Sequence, residues 1–321
     1  MTTYAPTYSD SRVGVAGAKL ERVFHSGNWT EGPAESPDGK VYFCDVTATF
    51  RTGMTAGIIW VFDPTSGQTR IFRSPSGMAA GIQFDAKGCM VAACGADFGA
   101  RAIIRTDMET GRSKIVAGLY KGRAFNSPND LIIDRQGRIY FTDPRYLGHE
   151  SIEQPVFGVY RVDGDGTVNL ILADVSKPNG IALSPDERIL YVVEHDIRLL
   201  DRRIEDVPTR DIGEMRILRY ALNADGSANN QEVFVDFAGE KGADGIAIDA
   251  DGNLYAAVQS DRHPGVRVFS AAGELLATLP MPERPSNLVL TTLHEQPFLY
   301  VTASTGLYRI RTRLPGCGPT R

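Results

Sequence analysis

The sequence has no apolar run approaching the roughly 20 residues that span a bilayer, so a membrane-spanning helix is not expected. Residues Met1 to Gly14 are polar and lack the apolar core of a signal peptide, and the expected compartment is the cytoplasm. Cysteine is scarce. Cys44, Cys89, Cys94 and Cys317 form no Cys-x-x-Cys pair, and four cysteines in 321 residues argue against a disulfide framework or a zinc site. Cys89 and Cys94 flank one apolar run and read as core thiols. Positive charge is not in excess. The formal net charge of −5 gives no reason to expect nucleic acid or an anionic membrane as a partner, and leaves the oligomeric state open. There is no Gly-x-Ser-x-Gly elbow for a serine nucleophile and no glycine-rich phosphate cradle. Long helical periodicity is absent throughout.

What is present is a repeat. Tight-turn positions recur at Gly39, Gly88, Gly137, Glu187, Gly252 and about Gln296, spaced 49, 49, 50, 65 and 44 residues apart. A period in this range indicates a propeller or another repeat array. One apolar run enters each turn, as in Leu131-Ile132-Ile133, and a second leaves it, as in Ile139-Tyr140-Phe141. Asp and Gly between two such runs make a β-hairpin. Further strand-like runs follow, such as Gly158-Val159-Tyr160-Arg161-Val162 and Asn169-Leu170-Ile171-Leu172. Four strands in each of six units predict an all-β chain folded as a six-bladed β-propeller with four-stranded blades. Leu20-Glu21-Arg22-Val23-Phe24 reads as an outer strand with no blade before it, and the last unit runs out after Gly306-Leu307-Tyr308-Arg309-Ile310. The N-terminal strand is therefore expected to close the last blade and remove two open sheet edges. Residues 1–321 are expected to form a single domain, with 1–19 as an N-terminal extension and 311–321 as a tail. The excess of the 65-residue gap follows Glu194, in a charged stretch from Asp196 to Met215 that reads as a surface loop.

Four acid or amide residues share one register of this repeat. Glu31, Asn129, Asn179 and Asp244 each lie eight residues before a turn position. Equivalent positions of a closed repeat converge on one axis, so two carboxylates and two amides form an oxygen cage for a cation. Each Asn or Asp alone would read as a cap that satisfies the backbone. Four in one register, with Glu31 among them, read as a metal site. Ala80 and Ser286-Asn287 fall near the same register in the other two blades, leaving room or adding a polar group on one side. The expected cofactor is one divalent cation: Ca²⁺ ahead of Mg²⁺ and Mn²⁺ for an all-oxygen cage, with Zn²⁺ or Fe²⁺ as further candidates. Such an ion polarises a carbonyl and acidifies bound water, so an ester or lactone can be hydrolysed without a covalent nucleophile.

A hairpin returns the residues after its turn to the end where it began, which places Asp45, Cys94, Asp143 and Glu194 beside the ring. The loops that follow them, Thr47 to Ala56, Ala96 to Ala102, Pro144 to Phe157 and His195 to Met215, are the expected walls and lid of a pocket. The opposite face, with its tight turns, is expected to be structural. Candidate substrate contacts are Asn129, Asp130, Asp143, Arg101, Tyr146 and His149. Arg51, Arg101 and Arg145 would suit a substrate with an anionic group, and His195 follows Glu194 toward the same mouth.

These residues resemble the gluconolactonase and senescence-marker-protein (regucalcin) family of six-bladed propellers, over roughly Val23 to Ile310. The resembling segments are Glu31-Gly32-Pro33, Asn126-Ser127-Pro128-Asn129-Asp130-Leu131, Tyr140-Phe141-Thr142-Asp143-Pro144, Pro178-Asn179-Gly180-Ile181 and Ala243-Asp244-Gly245-Ile246. The resemblance implies a central divalent cation held by Glu31, Asn179 and Asp244, with Asn129 completing the set or holding a water. It implies Asp130 beside the substrate and Asp244 as general base as well as ligand. It implies hydrolysis of a lactone, usually a sugar lactone. Asp130 and Glu194, acids near the same ring, are other candidates for activating water. Animal members carry an arginine just before the Asn-Asp pair where this chain has Ser127-Pro128, and many bacterial members have Asp in place of Glu194. A phosphoester or organophosphate hydrolase using the same cation, and a calcium- or ligand-binding propeller without turnover, are the alternatives.

Overall fold

A computed structural model describes residues 13–197 and 213–316. They form six four-stranded antiparallel sheets in a six-bladed β-propeller arrangement. Blade 1 runs through Thr30–Glu35, Val41–Asp45, Ile58–Asp63 and Gln68–Arg73, and blade 2 through Ala79–Phe84, Met90–Cys94, Ala102–Thr106 and Ser113–Ala117. Blade 3 uses Leu131–Ile133, Ile139–Asp143, Gly158–Val162 and Val168–Leu172. Blade 4 uses Pro178–Leu183, Ile189–His195, Met215–Leu222 and Ala228–Asp236. Blade 5 uses Ala243–Ile248, Leu254–Val258, Gly265–Phe269 and Leu275–Pro280. Blade 6 draws on both ends of the described chain: Glu21–Phe24 pairs with Gly306–Arg311, placing Arg22 opposite Tyr308, beside Gln296–Ala303 and Pro285–Leu293.

Burial follows from this layering. The second strands of blades 1, 2, 3 and 5 are buried at every residue, because each is covered by a neighbouring blade on both faces. The outer strand Gln68–Arg73 has no fully buried residue, and half of it is open to solvent. The core lies between blades. Val91, Ala93 and Ile103 of blade 2, for example, pack with Leu131, Phe141 and Tyr160 of blade 3. Cys44 and Cys94 are buried in such a layer, whereas Cys89 is only half-buried and Cys317 lies outside the described residues.

The turns form for a local reason. Asp85, Asp134 and Asp249 each accept two backbone N–H groups across their turns, as Asp134 Oδ1 does from Gln136 (3.0 Å) and Arg138 (2.9 Å). Gly39, Gly88, Gly137 and Gly252 take left-handed φ values of 77°, 73°, 79° and 84°, and Glu187 takes 57°. The sixth turn falls directly before the approximate position read from the sequence. His294 (φ 46°) and Glu295 (φ 63°) make it, and Gln296 already begins the next strand.

Candidate functional site at the propeller axis

A local distortion aims the register residues. The first strands of blades 1, 2, 4, 5 and 6 each change register next to the predicted axial position: between Glu31 and Ala34, Ala79 and Gly81, Pro178 and Ile181, Ala243 and Ile246, and Pro285 and Asn287. In blade 3 the first strand starts only at Leu131, just past Asn129 and Asp130. Bulges of this kind turn a side chain out of the strand's alternation.

Glu31, Asn179 and Asp244 are brought together and buried. Burial, then the charge of Asp244, holds the Glu31 carboxyl well above the ordinary carboxylate range. Burial, then the charge of Asp130, pushes Asp244 up to about 8, while a hydrogen bond with Asn179 opposes the rise. Asp130 is pushed up to about 6, again by burial. These are the shifts expected of carboxylates gathered away from water. Trp29 Nε1 donates to Glu31 Oε1 at 2.9 Å, and the Gln259 amide donates to Asp244. Asn179 Nδ2 donates to Tyr146 Oη at 3.2 Å, and that hydroxyl donates to the His195 carbonyl at 3.0 Å. Tyr146, expected on a mouth loop, thus reaches the axial group. Asn129 is half-buried and fixed through its backbone N–H to Thr142 O at 2.9 Å, and its side chain makes no hydrogen bond among the described residues.

The second register has another task than the one its spacing suggested. Asp143, a proposed substrate contact, is fully buried and accepts the N–H groups of Asn126 (2.8 Å) and Ser127 (2.7 Å). Asp45 does the same for Asn28 (2.8 Å) and Trp29 (2.9 Å). Glu194, a proposed base, accepts Ser176 N–H at 2.9 Å and is paired with Arg216 at 2.9 Å. Each acid pins the chain just ahead of an axial residue, namely Asn129, Glu31 and Asn179. They are braces for the site, with their oxygens already committed.

The predicted arginine contacts are likewise spent within the loops. Arg101 donates to Phe125 O (2.6 Å) and Ser151 O (3.2 Å), and buried Arg145 donates to Glu150 O (3.0 Å). His149 stands at the surface, its ring 4.0 Å from that of Phe98. Of the longest mouth loop, residues 198–212 lie outside the described residues.

Several contributors were not legible from spacing. Lys177 is buried two residues before Asn179, with Nζ 5.1 Å from the Tyr146 ring centre and donating to Ile197 O at 2.6 Å. Burial pushes its amine down to about 8. Trp29 and Gln259 hold the two acids, and only their positions beside the register, two before Glu31 and just past Val258, could have signalled it. A cavity of about 410 Å³ lies on the axis at the tight-turn end, a space the spacing argument assigned to structure alone. Asp130 and Asn287 line it, whereas Glu31, Asn179 and Asp244 do not.

The donor set suits a cation. The charged influences on Glu31 are Asp244 and Asp130, and that on Asp244 is Asp130, not a Lys, Arg or His. Three buried carboxyls without a counter-charge are costly, and a hard divalent ion with oxygen ligands would offset that cost. Among the described residues no three His, Cys, Asp or Glu side chains make a metal-type cluster, so a cage here must include amide oxygens.

Residues 29–305 match the family model described as SMP-30/Gluconolactonase/LRE-like region. The chain is 33% identical to a gluconolactonase of Zymomonas mobilis over 318 residues, covering 92% of this chain and 82% of that one. It is 29% identical to the lactonase drp35 of Staphylococcus epidermidis over 298 residues, covering 91% and 82%. A solved gluconolactonase structure from Xanthomonas campestris superposes with a TM-score of 0.79 at 26% identity, covering 97% of this chain and 95% of that one.

Proposed function

The chain belongs to the SMP-30/gluconolactonase/LRE-like family, and from that footing we propose that it is a metal-dependent lactonase. The observation that carries the reading is the buried convergence of Glu31, Asp244 and Asp130 with the amide of Asn179 at the axis. Glu31, Asn179 and Asp244 would hold one divalent cation, Ca²⁺ before the others, with Asn129 beside them. When bound, that ion supplies carbonyl polarisation and a more acidic water.

The remaining chemistry falls to the chain. Asp244 takes a proton from the attacking water, whose oxygen bonds to the lactone carbonyl carbon. The ring C–O bond then breaks, and the proton returns to the departing alkoxide, leaving a hydroxy acid. Asp130, held by the Leu131 N–H (2.9 Å) and by Asn287 (3.3 Å), fixes the axial side of the site and sustains the raised basicity of Asp244. Tyr146 holds Asn179, and Trp29 and Gln259 hold the acids. We also read the pairing of Glu21–Phe24 with Gly306–Arg311 as closure of the ring, which keeps the six axial positions in place. Residues 1–321 would then act as one unit.

The test is pH-stat hydrolysis of aldonolactones and aliphatic lactones by metal-stripped protein reconstituted with Ca²⁺, Mg²⁺, Mn²⁺, Zn²⁺ or Fe²⁺. Acid release that depends on the added ion is expected. Ion binding with no turnover of any lactone would overturn the proposal.

A further inference from the structure

We infer that the substrate carries an apolar substituent on its lactone ring and that Phe50, Met54 and Phe98 receive it; this rests on the lactonase reading above. The inference comes from what the mouth loops of blades 1 to 3 present and what they conceal.

Their polar groups are turned on one another. Asp97 is buried, and its two carboxylate oxygens accept Thr49 N–H at 2.6 Å and Thr49 Oγ1 at 2.8 Å, tying the blade 1 loop to the blade 2 loop. Glu150 accepts the N–H groups of Asp97 (3.0 Å) and Phe98 (2.8 Å), tying blade 2 to blade 3. Arg145 and Arg101 close the network from within through backbone carbonyls. A polyhydroxylated or anionic ligand needs open donors and acceptors, and the groups of this network have already been used on one another.

The apolar side chains of the same loops face outward. Phe50 is 48% exposed, Met54 56% and Phe98 50%, although each costs free energy in water. The backbone at Met54 and Phe98, and at several of their neighbours, is held in an unfavourable region. Met54 (φ 74°), Ala56 (54°), Asp97 (68°), Phe98 (64°) and Arg101 (49°) are all left-handed without being glycine. Such conformations persist only where the surroundings over-determine them, and they cluster at ligand clamps. The stapled network supplies that constraint. The loops spring from the end of the propeller where Glu31 and Asn129 sit, since Asp45, Cys94 and Asp143 end the strands that precede them. The result is a rigid apolar rim above an ion-binding oxygen site.

The test compares kcat/KM for unsubstituted δ-valerolactone, the same ring bearing a hexyl chain, and glucono-δ-lactone. It uses metal-loaded full-length protein and the variants Phe98→Ser and Phe50→Ser, each checked by thermal melting. The alkyl lactone should exceed the plain ring by about tenfold or more, mainly through KM. That ratio should fall several-fold in either variant. Both side chains are half in water, so serine is tolerated. Equal kcat/KM for the plain and hexyl rings, a ratio unmoved in both variants, or glucono-δ-lactone as the best substrate would overturn the inference while the lactonase reading stands. Silence on every lactone would overturn the parent reading and the inference with it.

Discussion

Asn287 Nδ2 donates to Asp130 Oδ2 at 3.3 Å, joining blades 6 and 3 across the axis from positions 157 residues apart. Each partner is set by the same local turn: Leu131 N–H bonds Asp130 Oδ1 at 2.9 Å, and Leu288 N–H bonds Asn287 Oδ1 at 2.8 Å. The other four blades place Gly32, Gly81, Gly180 and Gly245 directly after their axial residues. A Cβ at Gly81 would lie 2.7 Å from Asp130 Oδ1, and one at Gly245 2.2 Å from Asn287 Oδ1. Gly81 and Gly245 therefore leave axial space that these two longer side chains fill, whereas Gly32 and Gly180 admit the backbone of the next blade. Asp130 and Asn287 form a partition, with the acid and amide cage on one side and the 410 Å³ cavity on the other.

Gly245→Ala should break that partition. The added methyl must displace Asn287, because no rotation of an alanine relieves the overlap. Overpacking of this kind costs about 1–3 kcal/mol. Urea unfolding of the metal-free protein should show a lower midpoint with an unchanged slope, and ion affinity should fall as Asp130 loses its partner. An unchanged midpoint would mean that the axis has slack which the close contacts do not suggest.

The pH dependence of the metal-free protein follows from its axial acids. Asp244 lies at about 8 in the fold, above the ordinary value for an Asp, as does Asp130 at about 6. A carboxyl raised on folding contributes its stability below the unfolded value, and that contribution is lost as pH rises through the folded value. Chelator-treated protein should thus lose melting temperature between about pH 4 and pH 8 from these groups. Excess divalent cation should restore it at the upper end by binding the ionised fold. Asp244→Asn should flatten the metal-free profile and abolish the cation's effect. A metal-free profile unchanged by Asp244→Asn would show that this carboxyl does not share the buried cluster.

Much of this architecture was legible because it repeats. The turn at Gly137 follows from one spacing rule, and so does the arrival of Asp143 beside Asn126 and Ser127, just ahead of Asn129. What the rule could not supply was direction. Asp143 and Asp130 both look like free acids in sequence, yet one is spent on two backbone amides while the other reaches the axis. That difference depends on bulges and loop paths, which arise from contacts between blades. Arg101 and Arg145 misled for the same reason. A cation on a mouth loop reads as a substrate contact until its carbonyl partners, 24 residues away at Phe125 and nearby at Glu150, fold against it. The sixth turn could be placed only approximately, near Gln296, because His294-Glu295 makes it without the Asp-x-x-Gly signature.

Glu194 and Asp244 can be separated by mutation. Both are buried acids, but Glu194 braces Ser176 and Arg216 while Asp244 belongs to the cage. Glu194→Ala leaves a backbone N–H and a guanidinium without their acceptor, a loss of about 1–3 kcal/mol. Its kcat at a temperature where it stays folded should remain within about tenfold of the parent. Asp244→Asn should lower kcat by roughly 10²–10⁴, the range for removing a general base. Comparable losses of kcat in the two variants, with Glu194→Ala fully folded, would return Glu194 to the chemistry.

His195 should set the acid limit of the site. It ends the strand Ile189–His195, opposite Met215, and its buried ring is pushed down to about 4 by burial, against an ordinary value of about 6.5. A histidine lowered in this way contributes stability above its unfolded value, and that contribution is lost as pH falls through the folded value. The window is therefore about pH 6.5 down to pH 4, and the amount is on the order of 3 kcal/mol. The axial acids act with the opposite sign over this range in metal-free protein, so the informative quantity is the difference from His195→Gln, which lacks the titration. Wild type should lose melting temperature relative to His195→Gln as pH falls through this window. Because the His195 carbonyl anchors Tyr146, and Tyr146 holds Asn179, the same acidification should release the amide from its place and weaken ion binding. Parallel melting profiles for the two proteins would mean that the ring titrates alike folded and unfolded, and that the acid limit arises elsewhere.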